Sequence, residues 1–394
     1  MGYILITGGN LKNKGAQSMM FIAVDEMKKR FPDSEIIVVS DTDATASGEK
    51  RERFAFQFRD SVCLYGKKYK FIQRRYGKLD RMGDAAEIGR HVDMIIDISG
   101  YTFGSNWGWM ANLLAAYRAK RAKQYKAPIY FMPQSFGPFK WKGIMGRLTS
   151  FCMAKWLSYA NVLYAREQEG YDLLTENYGF RNVRLSEDLV LQNKGICISN
   201  IYKNSPVMTL PSIKKGSIAV LPNIRNAQYG DMEKLIMAYQ KIINFALRAG
   251  RTVYLIRHAT EDLAFCERIK VLFEKEPEVI LLKDDFSCLE YETLVKNFDY
   301  LVASRYHAIV HAYKQGIPCI VLGWAIKYQE LLSKFRQQEY ALDVRNEINM
   351  DHLMEKVKRM EARFPLESEV ILDGLEEVQK KNAFELVGKG KSQI

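Results

Sequence analysis

The chain has 394 residues, beyond the size at which a single core keeps growing, so two domains are expected. Apolar residues make up 47% and charged residues 26%, which allows a large core and argues against a disordered chain. No run of 18 or more apolar residues offers a transmembrane helix.

The formal net charge of +12 is uneven. Between Tyr65 and Arg81, Lys67, Lys68, Lys70, Arg74, Arg75, Lys78 and Arg81 stand against Asp80 alone. Arg118, Lys120, Arg121, Lys123, Lys126, Lys140, Lys142 and Arg147 follow. Such charge fits a solvated face, an anionic membrane surface, or the diphosphate of a lipid-linked ligand. No helix-turn-helix, zinc-finger or RRM signature supports nucleic acid as a partner. Cys63, Cys152, Cys197, Cys266, Cys288 and Cys319 form no CxxC pair and no Cys/His cluster at ligand spacing. Reduced thiols, no metal and a cytoplasmic compartment are therefore expected. The opening MGYILITGG lacks the basic start of a signal peptide and reads as a strand. Gly2 is no myristoylation signal, because position 6 is Ile.

In chain order, residues 3–7 predict a strand, 16–30 a helix, 35–39 a strand and 61–65 a weaker strand. Strands at 94–98, 128–132, 162–165 and 183–187 alternate with helices at 108–125, 143–158 and 167–178. The pattern breaks over 192–216, a Gly-, Pro-, Ser- and Lys-containing linker. Strands resume at 217–222, 252–256, 279–282, 300–303 and 319–322, with helices at 231–249, 261–275, 307–316 and 327–335. Ser287 and Glu290 form a capping box for a further helix. Residues 341–394 are a charged helical tail packing back on the body. Strands separated by helices of this length imply parallel βαβ units. The expected fold is thus α/β: two Rossmann-like doubly wound domains, 1–191 and 217–340, facing a cleft as in the GT-B architecture.

Ligands of doubly wound sheets bind at the carboxyl ends of strands, which singles out five loops. Thr7 to Ala16 is Gly-rich and precedes a helix, but matches neither a dinucleotide fingerprint nor a P-loop. Asp97 to Gly104 ends a strand on an acid and turns on Gly100. Pro133-Gln134-Ser135-Phe136-Gly137-Pro138 presents two hydrogen-bonding side chains. Arg166 and Glu167 end the strand at 162–165. Ser304-Arg305-Tyr306-His307 follows the strand at 300–303, and Lys327 follows the next strand-end loop, Gly323 to Tyr328. Arg305, His307 and Lys327, converging near helix starts, suit a small and highly charged anion. Each loop also has a plain structural reading as a tight turn, a cap or an ion pair.

N-x-G-A (13–16), D-x-S-G-Y-x-F-G (97–104), P-Q-S-x-G-P (133–138), A-R-E (165–167), P-N-x-R (222–225), S-R-Y-H (304–307) and G-W-x-x-K-Y (323–328) occur in this order. Together they resemble the polysaccharide pyruvyl transferase family over residues 3 to 335, nearly the whole chain. The resemblance implies phosphoenolpyruvate as donor, a sugar of a cell-surface polysaccharide or its lipid-linked precursor as acceptor, and no nucleotide, metal or other cofactor. It implies donor contacts from Arg166, Arg225, Arg305, His307 and Lys327. On the acceptor side the expected residues are Asn13, Gly100, Tyr101, Gln134 and Ser135. The expected chemistry gives His307 the role of general acid, Lys327 that of assisting phosphate departure, and Asp97 that of base. The sequence departs from many relatives at Ala16, where they carry an acid, which bears on the acceptor more than on the donor. Two alternatives stay open. A nucleotide-sugar glycosyltransferase would use Glu261 or Asp262 for a ribose, and a non-catalytic basic adaptor would sit at the inner face of a membrane.

Overall fold

The computed structural model describes residues 2–65, 88–323, 326–345 and 348–389. The basic run from Lys67 to Arg81, and Trp324 with Ala325, lie outside the described residues. The chain forms two compact units. Met1–Leu11, Ala16–Val207 and Lys381–Ile394 make the first; Lys12–Gly15 and Met208–Lys380 make the second.

The first unit holds β1 (Tyr3–Thr7), β2 (Glu35–Val39), β3 (Gln57–Arg59), β4 (Val92–Asp97), β5 (Ile129–Gln134), β6 (Val162–Ala165) and β7 (Val183–Leu185). They are ordered β3-β2-β1-β4-β5-β6-β7, and every pairing is parallel. Covered on both faces, such strands read as apolar runs, and β5 is buried along its whole length. The principal helices are α1 (Lys14–Arg30), α2 (Gly108–Tyr125) and α3 (Gly143–Leu157). Ala115, Ala116, Ala119 and Ala122 of α2 belong to the same buried core as Ile95, Ile129, Phe131 and Leu163 of the sheet. Small side chains at this spacing let the helix lie close to the strands.

The second unit holds β8 (Ser217–Leu221), β9 (Val253–Ile256), β10 (Val279–Leu282), β11 (Phe298–Ala303), β12 (Cys319–Gly323) and β13 (Ala341–Asp343). Their order is β10-β9-β8-β11-β12-β13, again all parallel. Its helices include α4 (Met232–Arg248), α5 (Leu263–Val271), α6 (Cys288–Val295), α7 (Tyr306–Lys314), α8 (Ile326–Lys334) and α9 (Met350–Val378). The capping box before α6 forms in full: Glu290 N–H donates to Ser287 Oγ (3.3 Å) and Ser287 N–H to Glu290 Oε2 (2.8 Å). In both sheets the order reverses beside the unit's first strand, between β1 and β4 and between β8 and β11. Connections leave in opposite directions there, opening a crevice at the carboxyl ends.

Four features differ from the sequence expectation. Residues 61–65 are not a strand; Val62–Tyr65 is one helical turn, and Gln57–Arg59 pairs with β2 instead. Asp41 and Asp60 impose that turn by accepting from the N–H groups of Ser61 (2.7 Å) and Val62 (2.9 Å). The helix expected over 167–178 is regular only over Gln168–Asp172 and then widens over Leu173–Asn177. The chain up to Val207 groups with the first unit, because Asp25 accepts from Cys197 N (3.2 Å) and Asn200 Nδ2 (2.8 Å) and Tyr202 stacks on Phe54. The tail divides. Helix α9 stays with the second unit and buries Leu353, Val357, Met360, Ile371 and Leu375 along one face. Beyond Lys380 the chain joins the first unit, where Ala383 N–H meets Gln192 Oε1 (2.8 Å) and Gly388 N–H meets Tyr130 Oη (3.1 Å).

All six cysteines are unpaired. Among the described residues no helix is long and apolar enough to cross a membrane, and no His/Cys/Asp/Glu group is placed to hold a metal.

Candidate active site

In the second unit, three loops at the carboxyl ends of the strands and the segment Lys12–Gly15 carry basic groups. After β9 come Arg257 and His258, both buried. After β11 come Ser304, Arg305 and, in the first turn of α7, His307. After β12 comes Lys327, half-buried, with its ammonium 5.4 Å from the Tyr306 ring and 5.8 Å from that of Tyr328. The segment Lys12–Gly15 adds Lys14, buried and 3.5 Å from Asp285. Asp285 also lies 3.5 Å from Arg257, so one exposed carboxylate serves two buried cations.

Arg305 is oriented by acids. Asp262, fully buried, accepts from Nε (2.9 Å) and Nη2 (2.6 Å), and Glu261 accepts from Nη2 (3.0 Å). Burial opposes the charge on Arg305, but Asp262 and then Glu261 outweigh it and hold the guanidinium above its ordinary range. The side chain is 13% exposed, and Nη1 meets no acceptor among the described residues. Arg225 is half-exposed and pairs with the same Glu261 at 3.2 Å. Arg305 and Arg225 therefore converge, but on carboxylates.

His258 is the buried counterpart of this charge. Burial pushes its pKa well below the ordinary histidine value, and Lys14, His311, Arg305 and His307 push it further down. It is neutral at pH 7, packs edge-on to Tyr291, and leaves Nε2 buried without a partner among the described residues. His307 is held from the other side by backbone: a Cβ placed on Gly15 would stand 2.1 Å from its Cγ and 2.3 Å from Nδ1. Asn13 accepts from Gly15 N–H (3.0 Å) and so shapes the turn that lies on this ring.

The strand ends of the first unit are built differently. Asp97 is fully buried, accepting from Ser99 N–H (3.0 Å) and from Arg118 Nη1 (2.6 Å). Arg166 is buried, and its three nitrogens meet Glu167 (3.1 Å), Asp188 (2.7 Å) and Ser135 Oγ (2.7 Å). Both residues thus differ from the expectation: each sits in a closed buried ion pair, Asp97 without an open oxygen and Arg166 without an open nitrogen edge. Ser135 joins the second network by donating to Glu167 (2.8 Å), and its N–H donates to Gly100 O (2.8 Å). Gly100 has φ +69°, a conformation that favours glycine, and with Phe103 and Phe136 it lays the loop after β4 against the loop after β5. Gln134 is fully buried, and neither amide atom meets a protein partner among the described residues. Tyr101 is half-buried; its hydroxyl lies 3.4 Å from Gly137 O and accepts from Asn106 (3.3 Å).

Sequence reasoning picked Arg305, His307 and Lys327 but passed over Lys14, Arg257 and His258. The strand-end rule that found Arg305 also points to Arg257 and His258, directly after β9. Arg118 carried no such signal, because it reaches Asp97 from the middle of α2.

Two parallel-sheet α/β units of this topology are the GT-B class, and solved structures of that class share the fold. The UDP-GlcNAc 2-epimerase of Methanocaldococcus jannaschii is 12% identical, covering 91% of this chain and 92% of its own, with a TM-score of 0.52. The S. aureus MnaA–UDP structure is 11% identical with a TM-score of 0.55, covering 98% of this chain and 93% of that one. A glycosyltransferase from Rickettsia africae is 12% identical, covers 99% of each chain and has a TM-score of 0.52. No curated protein sequence matches the chain. The sequence profile of polysaccharide pyruvyl transferases matches residues 13–325, and the chain belongs to that family.

Proposed function

We propose that the protein transfers the pyruvyl group of phosphoenolpyruvate to two hydroxyls of a surface-glycan sugar, forming a cyclic ketal and releasing phosphate. Family membership supports the reaction class. The observation that carries the donor assignment is the basic cluster at the strand ends of the second sheet: Lys14, Arg257, Arg305 and His307 near neutral His258, with Lys327 after the neighbouring strand against Tyr306. Phosphoenolpyruvate concentrates a carboxylate and a phosphate on three carbons, so it suits several fixed cations better than any single one.

In this reading His307 protonates C3 of the enol, leaving an oxocarbenium-like centre at C2. A sugar hydroxyl attacks C2 and gives up its proton. The C2–O bond to phosphate then breaks, and a second hydroxyl closes the ring with loss of its own proton. Lys327 neutralises the departing phosphate. Arg305, braced by Asp262, offers Nη1 to the donor, with Lys14 and Arg257 beside it, and Arg225 extends the cluster outward. Arg166 acts by holding Ser135, and Asp97 by holding Arg118 and Ser99, so the base that takes the hydroxyl protons is left unassigned. Gln134, Ser135, Gly100 and Tyr101 remain the acceptor-side residues, whereas Asn13 lies with the donor cluster, shaping the turn on His307. Neither metal nor cofactor enters this chemistry. The acceptor is carried on lipid at the inner face of a membrane.

A nucleotide-sugar transferase would ask Glu261 or Asp262 to bind a ribose, and Arg305 and Arg225 already hold both. Incubation with phosphoenolpyruvate and candidate sugars, following phosphate release and a pyruvate-sized mass gain, tests the proposal. The His307→Ala variant should lose turnover while keeping its melting temperature; near-normal turnover removes His307 from the acid role. Stabilisation by UDP- or GDP-sugars and not by phosphoenolpyruvate would overturn the donor assignment.

A further inference from the structure

The first unit carries a surface that neither catalysis nor folding accounts for. Helix α3 buries Gly146, Thr149, Met153 and Leu157 against the body. Its opposite face should then be polar. Instead Ile144, Leu148 and Phe151 lie there in one stripe, Ile144 84% and Phe151 65% exposed, with Met145 at its edge. The N-terminal end of α2 adds Trp107 and Met110, also exposed. The two helix starts are tied together: Ser105 N–H and Oγ donate to Pro138 O (2.8 and 2.7 Å), and Lys140 N–H donates to Ser105 Oγ. Large apolar side chains therefore cluster at one end of the unit, where isolated ones would need no explanation.

The charge around this patch has one sign. From Ile98 to Arg166 the chain contains no Asp or Glu, against ten Lys and Arg. Lys140, Lys142, Arg147 and Lys155 border the stripe, all exposed, and none meets a carboxylate among the described residues. Trp107 is 46% exposed, and an amphipathic ring of this kind favours a boundary between water and lipid. A second copy of the chain would bring the same positive charge to the same face, so self-association is opposed. An anionic bilayer offers both a negative surface and an apolar layer to accept Ile144, Leu148 and Phe151.

We infer that the start of α3, with Trp107 and Met110, is a docking surface that inserts shallowly into an anionic membrane. The patch adjoins the acceptor-side loop, for the Trp107 ring lies 6.0 Å from that of Tyr101. Docking would hold the residues proposed for the acceptor against the headgroup layer, where a lipid-linked sugar resides. That last consequence rests on the proposed pyruvyl transfer; the docking does not.

The test is flotation of the full chain with vesicles of phosphatidylcholine alone or mixed with phosphatidylglycerol, without phosphoenolpyruvate. Wild-type protein should float with the mixed vesicles and not with phosphatidylcholine. Lys142→Glu with Arg147→Glu should weaken partitioning about 100-fold. Leu148→Ser with Phe151→Ser should abolish the part that survives high salt. All four positions are exposed, so the variants should melt as wild type and turn over a soluble acceptor unchanged. No flotation of the wild type, or equal flotation of the Ser variant, overturns the inference, as does a wild-type dimer that the Ser variant dissociates. Flotation without turnover on any acceptor would keep the docking surface and sink the pyruvyl-transfer reading instead.

Discussion

Replacing Gly15 by Ala should disable the site while leaving the backbone at ease, because Gly15 has a φ that any residue adopts. The new methyl would stand 2.1 Å from Cγ, 2.3 Å from Nδ1 and 2.6 Å from Cδ2 of His307. Ordinary van der Waals contact begins near 3.4 Å, so the ring must retreat by about 1.3 Å. His307 sits in the first turn of α7, where its Cα cannot follow. The retreat must come from χ rotation, at a cost of about 1–3 kcal/mol in stability, as for other overpacked sites. Displacing an acid by roughly 1 Å from its carbon costs about 100-fold in turnover. The assay is phosphate release from phosphoenolpyruvate with an acceptor, beside a thermal melt. Gly195→Ala is the control, since nothing lies within 4 Å of a Cβ there. A Gly15→Ala enzyme with wild-type kcat and an unshifted melt would refute both the contact and the role it gives His307.

Asp262→Asn keeps the shape but removes the charge that pairs with buried Arg305, and should cost about 3 kcal/mol, lowering the melting temperature by roughly 6–12 °C. Inorganic phosphate should then stabilise the variant more than the wild type, because Arg305 has lost its internal anion; an unchanged melt would show the pair to be idle. For pH, His258 is neutral when folded, since burial first, and then the neighbouring basic groups, lower its pKa well below 6.5. The unfolded chain binds that proton first, so stability should fall as pH drops through about 6.5, and His258→Gln should flatten the decline. Phosphate should protect more at low pH than at high pH, for it offsets the charges that depress His258. Identical pH profiles for the wild type and His258→Gln would refute this coupling.

The alternation of apolar strands and amphipathic helices made the two parallel sheets legible, and β1, β2, β6 and β10 have the bounds that alternation predicts. What periodicity could not see was decided by side chains meeting backbone. Asp41 and Asp60 turned an apolar run of five into a helical turn, and Asp25 drew a linker-like segment onto the first unit. The β13 strand has three residues, too few for a period. At the site, strand-end position identified the cations but not their partners. That Arg166 is spent on Asp188 and Asp97 on Arg118 depends on residues 22 and 21 positions away in sequence, which no local motif records.

Those partners divide the labour between the sheets. At the strand ends of the first unit every buried cation is matched by acids: Arg118 by Asp97, and Arg166 by both Asp188 and Glu167. A closed network of this kind leaves no cation over for an anionic ligand and presents hydroxyl, amide and backbone groups of fixed geometry, which suits an uncharged polyol. At the second sheet Glu261, Asp262 and Asp285 face Arg225, Arg305, Lys14 and Arg257, with His258, His307 and Lys327 beside them. Cations exceed acids there, and burial has already forced one of the group, His258, to give up its proton. A site with more cations than acids can accept an anion, and a ligand bearing both a phosphate and a carboxylate, as proposed, would restore the balance. The same acids offset part of that charge without ligand: Asp262 and Glu261 hold Arg305, and Asp285 lies beside both Lys14 and Arg257, which fixes their directions in advance of any anion.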